Sequence, residues 1–246
     1  MRFGFYTFFF FLFFTQVLTK RKWFSMTSGG SVIALKYDGG IFMASDTLLS
    51  YGGLSKIPNV PRSKILGKYS AVCATGDYAD FQAMTGELQE AITADELLED
   101  GHEMSPAALF SFLQRQLYNK RSDFQPCLCQ FVLIGHYQGK AFCGGVDDIG
   151  TRWTDDYAAQ GYGAHICIPL IRRALESAPP QGLPRDAAKA VMEDCLRALF
   201  YRECRTINRF QITEATNGKV TISEPFMLET QWERAGYDFN KTAIIR

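Results

Sequence analysis

The sequence "SMTSGGSVIALKYDGGIFMASDT", residues 25–47, contains a complete β-hairpin signal. Two β-rich runs, at 31–37 and 41–47, are joined by Asp-Gly-Gly at positions 38–40. Aspartate followed by glycine between two apolar runs is typical of a tight antiparallel connection. The stretch therefore predicts an antiparallel hairpin close to the beginning of a folded domain.

Blocks of strands and pairs of helices follow this hairpin along the chain. The predicted order is a loop at 51–64, a hairpin at 65–76, two helices between 77 and 122, strands at 127–147, a strand at 151–159, two helices between 161 and 204, and a hairpin at 209–225 with an Asn-Gly turn. Single strands and helices do not alternate, so a parallel doubly wound sheet is not expected. The order predicts an α+β fold, a four-layer α/β/β/α sandwich of two antiparallel sheets.

The first helix pair has the clearest periodicity, with apolar residues every three to four positions. Gly76-Asp77 predicts a turn and a helix N-cap, and Ser105-Pro106 predicts the start of the second helix. The apolar stripe of the first helix is Phe81, Met84, Leu88 and Ile92. The apolar stripe of the second helix is Leu109, Phe112, Leu113 and Leu117.

Composition limits the possible partners and cofactors. Lys+Arg 26 balances Asp+Glu 26, so no bulk positive field favours nucleic acid, and no nucleic-acid partner is expected. Seven cysteines are scattered through apolar segments, which is typical of reduced thiols. Cys127 and Cys129 lack a second ligand pair at zinc-binding spacing, so neither a metal nor a cofactor is expected.

Residues 1–26 differ from the rest of the chain. An apolar run from Phe8 to Leu18 and the basic residues at 20–22 imitate a signal peptide, but no small-x-small cleavage site follows. The run is short for a membrane span, and no membrane partner is expected. A cleaved propeptide, a targeting signal and a mis-assigned start codon all fit, and Met26 directly before the first strand favours the third.

Three motifs resemble one known family. "GSVIALKYDGGIFMASD", "ATGDYADF" and "RFQI" preceded by "YREC" resemble the proteasome beta subunits, which have the N-terminal-nucleophile hydrolase fold. The resemblance extends from about residue 30 to 224 and is strongest to the non-catalytic subunits. It implies a hetero-oligomeric role in protein degradation, in the cytoplasm and nucleus. The implied partners are beta subunits of the same and the opposing ring, and subunits of the alpha ring.

The resemblance also indicates where the family's active site falls in this chain. Active members attack the peptide carbonyl with an N-terminal threonine, whose free α-amine serves as base. That nucleophile stands sixteen residues before Asp46, at Gly30, which has no side-chain oxygen. The family's lysine falls on Arg62, with Lys64 as a possible substitute two residues out of register. The remaining polar positions fall on Gln160, Glu203 and Thr206. Asp46 is expected to bond a turn or to pair with Arg62.

The site therefore predicts a non-catalytic structural subunit, and one alternative stays open. Initiation at Met26 and removal of that methionine would expose Thr27 as an N-terminal threonine of an active endopeptidase. Thr27 lies three residues before Gly30, roughly 10 Å away in an extended chain. A third hypothesis is a homomeric, protease-like relative outside the proteasome.

The C-terminal segment carries apolar side chains without regular spacing. They include Phe226, Trp232, Tyr237 and Phe239. Such a segment predicts docking onto a partner, although packing on its own domain is the alternative. The predicted organisation is thus a leader at 1–26, a sandwich domain at 27–224 and a docking tail at 225–246.

Overall fold

The computed structural model describes residues 27–180 and 182–231, and these residues form two facing antiparallel sheets flanked by helices. In chain order the elements are β1 (Thr27–Gly29), β2 (Val32–Tyr37), β3 (Gly40–Asp46), β4 (Leu49–Tyr51), β5 (Leu54–Ile57), β6 (Ser63–Leu66), β7 (Ser70–Asp77), α1 (Tyr78–Glu96), α2 (Pro106–Ser122), β8 (Cys129–Tyr137), β9 (Lys140–Val146), β10 (Arg152–Thr154), β11 (Tyr157–Gln160), α3 (Gly163–Glu176), α4 (Arg185–Arg202), β12 (Phe210–Thr216) and β13 (Lys219–Ile222).

The two sheets use strands from separate parts of the chain. The first has the order β10-β9-β8-β7-β1-β4-β5, with β6 also paired to β7, and the second has the order β11-β2-β3-β12-β13. A core cluster that includes Val32, Met43, Cys73 and Val132 fills the space between the sheets. Helices α1 and α2 cover the first sheet, and α3 and α4 cover the second. The predicted four-layer α/β/β/α sandwich is confirmed.

The quoted hairpin forms as expected and lies in the centre of the second sheet. Strand β2 pairs with β3 from Val32 opposite Ser45 to Tyr37 opposite Gly40. Gly39 has φ +88°, a left-handed conformation that its lack of a side chain permits. All seven residues of β3 are buried, because this strand has neighbours on both sides and a packed layer on each face.

The first helix pair also forms as expected, with one correction to its buried stripe. Asp77 caps α1 by accepting from Ala79 N–H, and Ser105 caps α2 by accepting from Ala108 N–H. In α2, however, Phe110 is fully buried and Phe112 only partly, the reverse of the expectation. A Cβ at Gly144 would lie 2.7 Å from the Phe110 ring, so the ring occupies space that this glycine of β9 leaves open.

Two sequence-based assignments of irregular and extended structure are wrong. The expected loop at 51–64 contains β5 and runs into β6, because Gly52 and Gly53 form only the turn between β4 and β5. The expected single strand at 151–159 is two strands that belong to different sheets, β10 beside β9 and β11 beside β2. Asp155 and Asp156 carry the chain from one sheet to the other.

Phe226, predicted to dock onto a partner, is partly buried against its own domain in the isolated chain. Its N–H donates to Phe210 C=O and its C=O accepts from Phe210 N–H, both at 2.9 Å. Strand β13 pairs with β12 only from Thr213 onward, which leaves the backbone of Phe210 free for this bridge. The other predicted docking residues, Trp232, Tyr237 and Phe239, lie outside the described residues, as does the predicted leader at 1–26.

The segment after Phe226 continues along the same domain. The Asn208 side chain donates to Leu228 C=O at 2.7 Å and accepts from Leu228 N–H at 2.9 Å. Arg197 Nε donates to Glu229 C=O at 3.4 Å. Residues 226–231 therefore contact the sandwich domain through backbone and side-chain hydrogen bonds. Within the described ranges, no helix is long and apolar enough to cross a bilayer.

Candidate functional site

Gly30 lies at the centre of the candidate site, between β1 and β2, and it is buried. A Cβ built on Gly30 would lie 3.2 Å from Glu203 Oε1, 3.3 Å from the Arg205 carbonyl oxygen and 3.5 Å from Asp46 Oδ1. Asp46 ends β3, whereas Glu203 directly follows α4. The fold thus brings two carboxylates from distant parts of the chain to the position where the resemblance implies a nucleophile.

Arg62 occupies the interior of this site and is only 1% exposed. Its guanidinium forms an ion pair with Asp46. It also donates to the carbonyl oxygens of Gly30 at 2.6 Å, Ala74 at 2.8 Å and Ser31 at 3.3 Å. Arginine keeps its proton in proteins, so this side chain cannot relay one. Arg62, rather than Lys64, is the cation that reaches Asp46.

Gly29 makes room for the Arg62 guanidinium. A Cβ on Gly29 would lie 2.4 Å from Arg62 Nε, closer than any side chain could approach. The two glycines before β2 therefore have separate functions in packing. The missing side chain of Gly29 leaves room for the Arg62 guanidinium, and that of Gly30 leaves space beside the two carboxylates.

Glu203 anchors a second group of hydrogen bonds that sequence reasoning did not identify in full. Its Oε2 accepts from Ser31 Oγ at 2.7 Å and from Thr206 Oγ1 at 3.0 Å. Ser31 Oγ in turn accepts from Gly163 N–H, at the start of α3, at 2.8 Å. Ser31 was missed because its partner is 172 positions away in the chain. The only feature of the sequence that could have indicated Ser31 is its position directly after Gly30.

Asp46 has both contacts that the sequence suggested. One oxygen bonds Arg62, and Oδ2 accepts from Leu48 N–H at 3.3 Å. Burial raises the pKa of Asp46 to about 6, the negative charge of Glu203 adds to this effect, and the Arg62 charge opposes it. Asp46 thus pairs with the buried arginine, and Glu203 adds a second negative charge beside Asp46.

Gln160, another predicted site residue, forms a hydrogen bond that leads away from this network. It lies in β11 of the second sheet, and its side chain donates to Val146 C=O in β9 of the first sheet at 3.3 Å. Gln160 is buried and thereby links the two sheets. The structure brings together Gly30, Asp46, Arg62, Glu203 and Thr206.

Thr27, the alternative nucleophile, lies at the beginning of β1 opposite Tyr51. Its Oγ1 accepts a hydrogen bond from the exposed Lys56 at 3.3 Å. The same strand pairs with β7 on its other side, through Ser28 and Gly29. Thr27 therefore pairs with strand β4, and the lysine that donates to its hydroxyl belongs to the β4–β5 hairpin.

Residues 27–180 and 182–231 contain no group of three or more His, Cys, Asp or Glu side chains arranged to hold a metal ion. Cys129, one of the two cysteines considered for zinc, donates through Sγ to Asp77 C=O at 2.7 Å. The hydrogen bond with Cys127 and burial raise the pKa of the Cys129 thiol far above its usual range. Both effects favour the protonated thiol.

Two facing antiparallel sheets between helix pairs, with a polar site where β1 meets β2, define the class of N-terminal-nucleophile hydrolase folds. A family model described as proteasome subunit matches residues 26–215, and the chain belongs to this family. Proteasome subunit beta type-4 of Dictyostelium discoideum is 42% identical over 205 residues, which are 83% of this chain and 78% of that protein.

Two further relatives carry the same name. Proteasome subunit beta type-4 of Xenopus laevis is 37% identical over 210 residues, 85% of this chain and 86% of the relative. Its counterpart in Arabidopsis thaliana is 35% identical over 225 residues, 92% of this chain and 89% of the relative. The sequence motifs indicated the beta type-4 (beta-7) class among the proteasome beta subunits, and this recognition is confirmed.

Proposed function

We propose that this chain is a non-catalytic beta subunit of the proteasome core particle, which completes the beta ring and supports protein degradation without cleaving peptides itself. Similarity to type-4 subunits over most of the chain supports the first part. The geometry around Gly30 supports the second. The position that would carry the reactive hydroxyl has no side chain, and a buried arginine replaces the lysine.

One observation carries the non-catalytic assignment, namely that the residue beside the two carboxylates is a glycine. Strand β1 lies between β7 and β4 and pairs with both. Gly30 follows this strand directly, and it lacks the side-chain hydroxyl that an N-terminal nucleophile requires. Releasing a new N-terminus at residue 30 would remove a central strand, and even then no hydroxyl would be available.

The implied partners follow from the same assignment. The chain would contact beta subunits of its own ring, beta subunits of the opposing ring and subunits of the alpha ring. Its segment 232–246, with Trp232, Tyr237 and Phe239, would dock onto the opposing beta ring and help to lock two half-particles together. The expected location is the cytoplasm and the nucleus, where assembled particles act.

Labelling of assembled particles tests this function. Core particles purified through a tag on this chain are treated with a peptide inhibitor that reacts covalently with N-terminal threonines. Mass spectrometry then reads both the adducts and the mature N-terminus of each beta subunit. We expect adducts on the catalytic subunits of the same preparation, which serve as the positive control, and none on this chain.

An adduct on Thr27, together with a mature N-terminus at that residue, would contradict the non-catalytic assignment and support the alternative endopeptidase. Recovery of the tagged chain as a free monomer, or as a complex of identical copies, would contradict membership of the ring.

A further inference from the structure

The turn between β12 and β13 contains the one Asn-Gly pair of the chain, Asn217-Gly218. Asn217 is exposed, and the φ angles of the two residues are +47° and +70°, as in a tight hairpin turn. An asparagine followed by glycine is open to a backbone reaction, because the glycine amide nitrogen can attack the asparagine side-chain carbonyl and close a five-membered succinimide ring. Glycine has no side chain to hinder this attack.

The attacking nitrogen of this turn is in direct contact with a base. Gly218 N–H donates to His136 Nδ1 at 3.2 Å, and His136 lies 82 positions away in β8 of the first sheet. The histidine is only 5% exposed, so packing holds its ring in place. A backbone amide attacks poorly until its proton is removed, and the distance is within the reach of a general base. An imidazole nitrogen that accepts a hydrogen bond has the lone pair that such a transfer needs.

A second asparagine of the same chain provides an internal comparison. Asn59 is also exposed and has φ +68°. The next residue is Val60, whose N–H donates to Thr47 C=O at 2.9 Å. A carbonyl oxygen does not take up an amide proton at neutral pH, and the branched valine side chain crowds the attacking nitrogen. The two asparagines share exposure and a left-handed backbone but differ in the group that faces the following amide.

We propose that Asn217 is a site of spontaneous deamidation in which His136 acts as the general base. His136 Nδ1 accepts the Gly218 amide proton, and the amide nitrogen forms a bond to the side-chain carbonyl carbon of Asn217. The proton then passes to the departing side-chain nitrogen, which leaves as ammonia when the succinimide forms. Water opens the ring to aspartate or isoaspartate, so one water is consumed and one ammonia released. The reaction needs only this chain and takes place whether or not the chain enters a particle.

The product would loosen one hairpin and leave the rest of the sandwich closed. Isoaspartate adds a methylene group to the backbone of a two-residue turn and places a negative charge at its tip. Strand β13 is the last strand of the second sheet, whereas β12 also pairs with β3 along its whole length. The longer turn displaces the Gly218 amide from His136 and so weakens a link between the two sheets. The expected damage is therefore confined to β13 and its turn.

Ageing of the full-length chain tests the proposal. The folded chain and the same chain in guanidinium chloride are incubated at neutral pH, and peptide mapping by mass spectrometry measures conversion of each asparagine to a carboxylate. An ordered turn by itself slows ring closure, because the chain cannot reach the geometry of attack freely. We therefore expect Asn217 to react faster in the folded chain than in the denatured chain, since only the folded chain places the base. Asn59 should show the opposite order.

A histidine variant separates the base from the hydrogen bond. In His136→Gln the side-chain oxygen can still accept from Gly218 N–H but cannot take up its proton. Deamidation of Asn217 in the folded variant should slow about tenfold or more, because general-base catalysis commonly contributes more than this factor. The same change at the exposed His165 of α3, His165→Gln, should leave the rate unchanged. In guanidinium chloride the wild type and both variants should react at equal rates.

Two results would overturn the proposal. Slower reaction of Asn217 in the folded chain than in the denatured chain would show that the turn protects this residue. An unchanged rate in folded His136→Gln would show that the hydrogen bond is only a structural link between the sheets. Unfolding midpoints establish whether the variant is folded, and if it is not, the wild-type comparison with Asn59 as internal reference still decides.

Discussion

A single buried arginine organises the site that resembles a protease centre. Arg62 binds Asp46 in β3, Gly30 before β2 and Ala74 in β7. It therefore connects the first sheet to the second. In this chain the space beside Gly30 is filled by an ion pair and carbonyl contacts.

Removing this arginine should be costly. Arg62→Ala leaves the Asp46 carboxyl and three buried carbonyl oxygens without their partner, and we expect the free energy of unfolding to fall by about 3–5 kcal/mol. Lys120→Ala is the control, because Lys120 pairs with the partly exposed Glu87 and its loss should cost less than about 1 kcal/mol. Urea unfolding of the full-length chain measures both. Similar losses in the two variants would show that Arg62 does not hold the site together.

The raised pKa of Asp46 makes stability depend on pH. Burial raises its pKa from 3.8 to about 6, so the folded chain binds this proton more readily than the unfolded chain. Protonated Asp46 therefore contributes its full stabilisation to the free energy of unfolding below about pH 4, and this stabilisation is lost as pH rises through 6. Between pH 7 and pH 5, the stability of the wild type relative to Asp46→Asn should rise by about 1 kcal/mol.

Unfolding curves at several pH values in that range check this sign. The asparagine variant cannot take up the proton and provides the reference. A difference between the two proteins that shrinks toward pH 5 would mean that Asp46 is instead held ionised by Arg62.

At the level of the elements, two glycines in adjacent segments have opposite requirements. Gly76 in β7 has φ +98°, and a Cβ there would lie 2.1 Å from the Leu128 carbonyl oxygen. Gly86 lies inside α1, where a Cβ would have no neighbour within 4 Å. The first glycine is required by the close approach of the backbone before the helix, whereas the second only weakens the helix.

The same substitution should therefore change stability in opposite directions. Gly76→Ala should lower the free energy of unfolding by more than about 2 kcal/mol, because both the backbone angle and the space oppose a side chain. Gly86→Ala should raise it by about 0.5–1 kcal/mol through the higher helix propensity of alanine. Thermal and urea unfolding measure the pair. Destabilisation by both would indicate that Gly86 also has a packing constraint.

At the level of the whole molecule, the described part of the chain stays in contact with its own sandwich through residue 231. Residues 226–231 are held by Phe210, Asn208 and Arg197, so they contribute to the fold of the subunit. The proposed docking function is therefore tested on 232–246, which contains Trp232, Tyr237 and Phe239. We therefore expect segment 226–231 to contribute to the stability of the subunit and segment 232–246 to contribute to the assembly of the particle.

Deletion of residues 232–246 should separate the two properties. The truncated chain keeps every contact described for 226–231, and its unfolding midpoint should stay within a few degrees of the wild type. If the segment locks two half-particles, native gels should show half-particles accumulating at the expense of complete core particles. Normal yields of complete particles would contradict the docking function, and a collapsed midpoint would show that the segment stabilises the subunit itself.

The sequence by itself determined the layers of the fold and the chemical deficit of the site. Local patterns sufficed for the central hairpin, the helix caps and most of the apolar stripes, because each depends on residues a few positions apart. The sequence also gives glycine at position 30 and arginine at position 62, and the resemblance indicates that these are the positions of the nucleophile and the lysine.

Tertiary structure alone decided contacts between residues far apart in the chain. The hydrogen bond from Ser31 to Glu203, the burial of Phe110 over Gly144 and the bridge of Phe226 to Phe210 could not be deduced from local periodicity. The same is true of the open edges of the first sheet, because an edge is defined only when every strand has found its neighbour. Local preference shapes each element, whereas burial and hydrogen bonding between elements determine which residues meet.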